Sequence, residues 1–264
     1  MHGTLALGCD NGHRFDVNKR GYLSTIDKSR GIAGDSKQIL QARAQFLALG
    51  HYEPIAELIE ECLPPSPSSA DIADGEPHQR ILDSGCGTGY YLAHLLAARP
   101  GAKALALDAA TDAVAMTVAA TSGAASPAAG LVADVWQPSA VRDDAADVVL
   151  CVFAPRNTAE FARVLAPGGR LVVVTPRQDH LEQLRATGEM IGIQPGKLAA
   201  LDAGLSDSFG LVDRQSLIYS RELDLAARTL VAAMGPSGHH HREAPTCGGT
   251  ITIAVDISVY AHQA

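Results

Sequence analysis

The sequence lacks the features that would place the protein in a membrane or on a secretory route. No apolar run approaches the ~20 residues that a bilayer-spanning helix needs. The first residues, which include His2, Cys9 and Asp10, do not have the layout of a signal peptide. We therefore expect a cytoplasmic protein with no membrane partner.

A paired set of cysteines is also missing. The five cysteines are an odd number and lie far apart along the chain. Without an export signal, such a set argues against disulfides and favours reduced thiols that pack as small apolar groups. Nothing in this pattern fixes the oligomeric state, and a homodimer stays open.

An excess of positive charge is absent as well. The net charge is −8 and the isoelectric point is near 5.6, which argues against a protein that coats nucleic acid in general. The segment 14–43 is different, because it carries seven basic and three acidic side chains. Two interpretations stay open for it, a solvated surface and an arm that contacts phosphates.

What is present is a regular alternation of apolar strands and amphipathic helices. It begins near residue 80 and predicts a domain over 80–264, preceded by a small module over 1–34 and by a helical segment with a Pro/Ser-rich linker over 35–79. We expect an α/β fold of the Rossmann-like, class I methyltransferase type. Its seven-stranded, mostly parallel sheet should have helices on both faces, with two late strands at an antiparallel edge.

A glycine-rich turn carries the first chemical signal. Asp83 to Gly89 follow the pattern D-x-G-x-G-x-G between an apolar strand and a helix, and glycines such as Gly85 let the backbone approach a ligand closely. This pattern alone is only moderately specific, since dinucleotide-binding folds use similar turns. An NAD site would normally have the spacing G-x-G-x-x-G, which this turn does not have.

Three carboxylates narrow the cofactor to S-adenosylmethionine. Asp83 precedes the glycines, where it could bind the methionine amino group or order the loop. Asp108 ends the second strand, where it could accept both ribose hydroxyls, and Asp134 follows the third strand, beside the expected adenine amino group. Any one Asp is more often a helix cap or a solvated loop residue. Three at successive strand ends favour a ligand site, because open parallel sheets bind ligands there.

Further blocks of sequence resemble one family, the 23S ribosomal RNA guanine-N1 methyltransferases, and within it the macrolide (tylosin)-resistance branch. The likeness spans most of the chain. Besides the glycine turn and the generic Pro167-Gly168-Gly169, it rests on these blocks: Gly12–Asp16, Gly34–Ser36, Gln41–Arg43, Phe46–Tyr52, Phe153–Pro155, Thr175-Pro176 with His180, and Met234–Ser237.

The resemblance implies methylation of N1 of a guanine in a hairpin loop of 23S rRNA, near the site where macrolides bind. It also implies that Tyr52, Gly87, Thr88 and His180 help to hold the cofactor. Phe153 and Pro155 follow the fourth strand without offering an acid or base, so we expect them to shape the substrate pocket, where a splayed guanine could enter. No general base is identified.

The histidines of the sequence offer little evidence for a metal. Family members usually open with four zinc ligands, of which only Cys9 and His13 are matched here, and two ligands cannot fill a tetrahedral structural site. We therefore expect no bound zinc and a degenerate RNA-recognition module. Adjacent histidines rarely chelate one ion together. For His239 and the two histidines after it, we therefore favour solvent exposure as the first interpretation and substrate contact as the second.

Two other functions compete with rRNA methylation. The acidic charge and the incomplete zinc site favour a small-molecule methyltransferase descended from the same family. A regulatory or RNA-binding protein without activity is the third alternative. The intact Asp83, Asp108 and glycine turn argue against that third alternative.

Overall fold

The computed structural model describes residues 5–8, 12, 14–26, 34–65, 79–190, 192–194, 196–235 and 244–263. The strands are β1 (Ala6–Gly8), β2 (Arg14–Asp16), β3 (Tyr22–Ser24), β4 (Gln79–Ser84), β5 (Ala102–Asp108), β6 (Ala129–Val132), β7 (Ala146–Val152), β8 (Leu165–Pro176), β9 (Phe209–Leu223) and β10 (Gly249–His262). The helices are α1 (Lys37–Ala48), α2 (Glu53–Glu61), α3 (Tyr90–Ala98), α4 (Thr111–Ala120), α5 (Thr158–Val164), α6 (Glu182–Ala186), α7 (Lys197–Leu205) and α8 (Leu225–Ala233).

The main sheet is mostly parallel and has eight strands in the order β3-β6-β5-β4-β7-β8-β10-β9. The α/β class is confirmed, but the expected number of seven strands was wrong. The additional strand is β3, which pairs in parallel with β6 through Tyr22 opposite Gly130. A side chain on Gly130 would lie 2.6 Å from the Cβ of Tyr22, so this glycine lets the short strand approach.

The chain groups into two compact units, each made of two segments: residues 1–35 with 65–171, and residues 36–64 with 172–264. In the first unit, β4 pairs in parallel with both β5 and β7, and β5 pairs in parallel with β6. Val148, Val149 and Leu150 of β7 are fully buried, as expected for a central parallel strand covered on both faces. The three-part division predicted along the chain, at residues 34 and 79, stays a prediction.

The second unit contains the predicted antiparallel hairpin. β9 and β10 pair along almost their whole length, from Gly249 opposite Leu223 to His262 opposite Phe209, with one irregularity at Val259/Tyr260. α1 packs against α8, and Ser36 caps α1 by accepting from the backbone N–H of Ile39 at 3.3 Å. Gly50, with φ +77°, follows the end of this helix.

Two element boundaries differ from the sequence expectation. The apolar pattern of the sequence predicts a helix over 222–234, but the helix begins at Leu225, because β9 continues to Leu223 and the Asp224 carboxylate caps the helix at Ala227 N. The Gly168-Gly169 pair after Leu165 predicts a helix stop and a turn into the next strand, but both glycines lie within β8, which already starts at Leu165. Among the described residues, no helix is long and apolar enough to cross a lipid bilayer.

Candidate cofactor and substrate site

The turn between β4 and α3 has a backbone shape that requires glycine. Gly85, Gly87 and Gly89 have φ values of +80°, +53° and +78°. A Cβ on Gly85 would lie 2.4 Å from the Cβ of Ala154, and one on Gly89 would lie 2.7 Å from the Cα of Thr117. Every second residue of this turn therefore has no side chain. This lets a ligand approach the backbone of the turn closely. Thr88, between two of these glycines, is buried.

Gly87 is held from both sides. Its N–H donates to Asp108 Oδ2 at 3.1 Å, and its carbonyl accepts from Thr117 Oγ1 at 3.2 Å. The other oxygen of Asp108 accepts from Ala110 N at 2.9 Å. The carboxylate at the end of β5 is therefore fixed by two backbone donors, and the glycine turn is fixed with it.

Asp83 is a buried carboxyl at the end of β4, with 2% of its surface exposed. Burial, aided by the negative charge of Asp108, raises the pKa of Asp83 to about 7. A cationic group beside Asp83 would favour the ionised carboxylate and would offset the effects of burial and of the Asp108 charge on its pKa. The site thus fits a ligand that carries an ammonium group next to a glycine cradle.

Asp134 lies just beyond the end of β6 and is half-buried. Its Oδ1 accepts from Trp136 N at 3.0 Å, and its carbonyl accepts from Gln137 N at 3.0 Å. Ala133 N donates to the carbonyl of Asp108 at 3.0 Å, which ties this turn to the end of β5. Because β4, β5 and β6 are parallel neighbours, Asp83, Asp108 and Asp134 share one edge of the sheet.

Phe153 begins the turn that follows β7. Its φ of +53° is unusual for a residue with a side chain, and its ring is 41% exposed. The ring of Tyr91 lies edge-on to it at 6.4 Å. Cys151, whose pKa is raised to about 12 chiefly by burial, stays a thiol and donates to the carbonyls of Ala154 at 3.6 Å and exposed Pro155 at 3.5 Å. Residues 153–155 contribute no acid or base side chain.

Tyr52 and His180 meet within the second unit, although 128 residues separate them in sequence. Tyr52 Oη lies 3.1 Å from His180 Nε2, and Ala254 N donates to His180 Nδ1 at 3.2 Å. Burial, with the charge of Arg185, lowers the pKa of His180 to about 4. The imidazole is therefore neutral near pH 7, with its proton on Nε2 and Tyr52 as the acceptor.

Comparison with known proteins identifies the family. Residues 81–169 match a methyltransferase domain family. A 23S rRNA (guanine(748)-N(1))-methyltransferase from Streptomyces fradiae is 37% identical over 234 residues, which cover 89% of this chain and 80% of that protein. The chain belongs to the 23S rRNA (guanine-N1)-methyltransferase family.

One further relative agrees with this assignment, and one solved structure shares the fold. A Micromonospora griseorubida protein with a provisional name of the same kind is 33% identical, and the match covers 97% of this methyltransferase and 88% of that protein. Among solved structures, the complex between the Haloferax volcanii Trm112 methyltransferase activator and its provisionally identified methyltransferase matches with a TM-score of 0.55 and 17% identity, covering 88% of this chain and all of that one. The last similarity shows the fold alone. The fold and family are those of S-adenosylmethionine-dependent methyltransferases.

The methyltransferase also has site residues that the sequence did not single out. Thr117 lies within α4, and no motif in the neighbouring sequence marks it. Its hydrogen bond to the Gly87 carbonyl becomes visible only in the folded structure. Trp136, the only tryptophan, could have been noticed two residues after Asp134. Three predicted residues, Cys9, His13 and His239, lie outside the described residues. Within the described part, no group of three or more His, Cys, Asp or Glu could hold a metal ion.

Proposed function

We propose that this methyltransferase transfers the methyl group of S-adenosylmethionine to N1 of a guanine in a hairpin loop of 23S rRNA. The observation that carries the proposal is the 37% identity over 89% of the chain to the Streptomyces fradiae enzyme, whose name states N1 methylation of a guanine in 23S rRNA. The glycine turn with Asp83 and Asp108 supports it, because a cofactor site of the right chemistry is retained.

Each site residue receives a role from its chemistry and position. Asp83 binds the ammonium of the cofactor, Asp108 accepts the ribose hydroxyls and Asp134 accepts the adenine amino group. Gly85, Gly87 and Thr88 form the cradle. For Tyr52 and His180, which form a hydrogen-bonded aromatic pair, the role in cofactor binding comes from the family resemblance alone.

When bound, S-adenosylmethionine supplies an electrophilic methyl group on a sulfonium, so the protein has mainly to align the nucleophile with it. Phe153 and Pro155 offer a stacking face and a rigid wall for the guanine, in keeping with how proteins hold splayed RNA bases. Since residues 153–155 carry no acid or base side chain, the removal of the N1 proton is not assigned to this turn.

Primer extension across domain II of 23S rRNA tests the proposal. The protein is expressed in a host that lacks its own guanine-N1 methyltransferase, and N1-methylguanine blocks reverse transcription at the modified base. We expect a new stop in a hairpin loop with the wild type and none with Asp108→Ala. The proposal is rejected if the wild type gives no new stop, or if purified protein methylates only a metabolite.

Four finer proposals accompany this assignment. The protein acts in the cytoplasm, where ribosomal RNA is found, and its modification protects the host from a macrolide. It works as a homodimer and without zinc. Growth inhibition by a macrolide series, sedimentation velocity and metal analysis of the purified protein test the last three points separately.

A further inference from the structure

Trp136 is unusual because it is the only tryptophan of the chain and is 62% exposed. Its backbone is fixed, since its N–H donates to Asp134 Oδ1 at 3.0 Å and the next residue donates to the Asp134 carbonyl. The large aromatic ring therefore exposes an apolar face to water, and a partner that binds it would have to order little of the turn. This arrangement favours a role in stacking against another planar group.

Phe153 is a second exposed ring on a fixed turn at the same edge of the sheet. Its left-handed backbone conformation costs free energy and occurs most often where function requires it. Tyr91 supports the ring from one side, and the thiol of Cys151 braces the two carbonyls that follow it.

Asn157 joins the two turns. Its Nδ2 donates to the carbonyl of Val135 at 3.0 Å, and its Oδ1 caps α5 by accepting from Glu160 N at 3.3 Å. The residue before Trp136 is therefore tied to a residue four positions after Phe153. This bond fixes the two exposed rings on neighbouring parts of the molecule.

A cation follows Phe153 on the same turn. Arg156 is half-buried, directly after Pro155, and its charge acts on the thiol of Cys151. No ion pair of Arg156 with a carboxylate occurs within the described part of the chain. In a protein of net charge −8, a guanidinium on the turn of one exposed ring, which Asn157 ties to the turn of the other, is complementary to a nucleotide, because a nucleotide combines a planar base with a phosphate.

We propose that Trp136, Phe153 and Arg156 form a nucleotide-docking surface for an unpaired loop of RNA. Phe153 stacks on the guanine that is methylated, Trp136 stacks on a neighbouring unpaired base, and Arg156 binds the phosphate between them. This inference rests on the proposed function and adds two residues that grip the substrate rather than the cofactor.

The single tryptophan makes the test direct. A transcript of the 23S rRNA hairpin is titrated into protein saturated with S-adenosylhomocysteine, and indole fluorescence is followed. We expect quenching of the wild type by the transcript. Trp136→Ala should raise the KM for the transcript at least fivefold, which corresponds to one lost stacking contact. Its affinity for S-adenosylmethionine should stay within twofold of the wild type.

Matched variants separate aromatic stacking from general damage. Trp136→Phe keeps a ring and should recover most of the affinity, whereas Val212→Ala removes an equally exposed apolar side chain on β9 and should change nothing. Arg156→Gln should raise the KM for the transcript with kcat little changed, and Arg156→Lys should recover part of the loss.

Several results would overturn the docking surface. One is an unchanged KM in Trp136→Ala while the wild type methylates the transcript. A second is a weakened S-adenosylmethionine affinity in that variant, which would place the indole on the cofactor. A third is a change of its sedimentation coefficient, which would make Trp136 a contact between copies. If the wild type itself fails to methylate the transcript, the proposed function fails, and the docking surface fails with it.

Discussion

Thr117 shows how one buried side chain can tune a ligand site that it does not enter. It is fully buried in α4 and donates to the carbonyl of Gly87, whose N–H is held by Asp108. Thr117→Val keeps the shape but leaves that carbonyl without its donor. We expect the Kd for S-adenosylmethionine to rise about fivefold, the equivalent of one hydrogen bond of ~1 kcal/mol, as measured by calorimetry.

Thr117→Ser supplies the control for this variant, because it retains the hydroxyl and loses only a methyl group. It should bind the cofactor nearly as well as the wild type. Equal losses of affinity in the Val and Ser variants would show that packing, and not the bond to Gly87, controls the turn.

Asp83 should make the stability of the ligand-free protein depend on pH. Its carboxyl has a pKa of about 7 in the folded chain and an ordinary value of 3.8. Between these values the folded form holds more protons than the unfolded form, so this group stabilises the fold at low pH. That contribution falls as pH rises from about 4 to about 7.

Urea unfolding at pH 5 and pH 8 measures this effect when the wild type is compared with Asp83→Asn, which cannot titrate. The free energy of unfolding of the wild type, relative to the variant, should be higher at pH 5 by an amount on the order of a few kcal/mol. The same difference at both pH values would show that Asp83 is already ionised in the folded protein at pH 5.

The sequence predicted the acidic residues of the site more readily than their supports. Asp83, Asp108 and Asp134 were predicted because strand ends are visible in the apolar pattern and three carboxylates at successive strand ends favour a ligand site. Thr117 is one of two threonines in an Ala-rich helix, and only the contact with a turn 30 residues earlier distinguishes it. His180 and Tyr52 were suggested by resemblance and not by any local pattern.

At the scale of elements, a buried ion pair ties α8 to the segment after α6. Arg228 donates to both oxygens of Glu189 at 3.0 and 2.8 Å, and each side chain is less than 10% exposed. Arg228→Met should lower the free energy of unfolding by about 3–5 kcal/mol, because it leaves the Glu189 carboxylate buried without its partner. Urea unfolding at neutral pH measures the loss.

The double variant Arg228→Met with Glu189→Met tests the cause of that loss. Removing both charges should restore much of the stability, since a buried pair can be replaced by apolar side chains at little cost. A double variant no more stable than Arg228→Met would mean that the shape of the pair, and not its charge, holds the elements together.

Element boundaries were the least predictable part of the fold, for reasons that lie in particular residues. Glu222 is a good helix former, yet it belongs to β9, where Thr250 pairs with it and donates to its carboxylate at 2.6 Å. Helix α6 has only five residues and begins after Leu181, whose φ is +54°. A helix this short has too few residues to show a helical repeat of apolar positions, and its first residue is not preceded by a typical capping residue.

At the scale of the whole molecule, the parallel sheet could be predicted because its central strands are continuous apolar runs. The eighth strand could not, since Tyr22–Ser24 are three residues in a segment rich in turn formers, and their pairing with β6 depends on a distant glycine. The grouping of 36–64 with 172–264 is likewise a property of long-range contacts, which no local pattern contains.

Net charge sets a limit on how the whole molecule can bind RNA. With a net charge of −8, the molecule as a whole does not attract phosphates over long distances, so affinity has to come from local contacts and from stacking. Each phosphate contact contributes about 0.7 to the slope of log K against log of salt concentration on single-stranded nucleic acid, and a stacking contact contributes little.

Arg156→Gln should therefore reduce this slope by roughly 0.7. Trp136→Ala should weaken binding at every salt concentration and leave the slope unchanged. Fluorescence anisotropy of a labelled hairpin over a salt series gives both slopes, and parallel lines for the wild type and Arg156→Gln would remove Arg156 from the phosphate contacts.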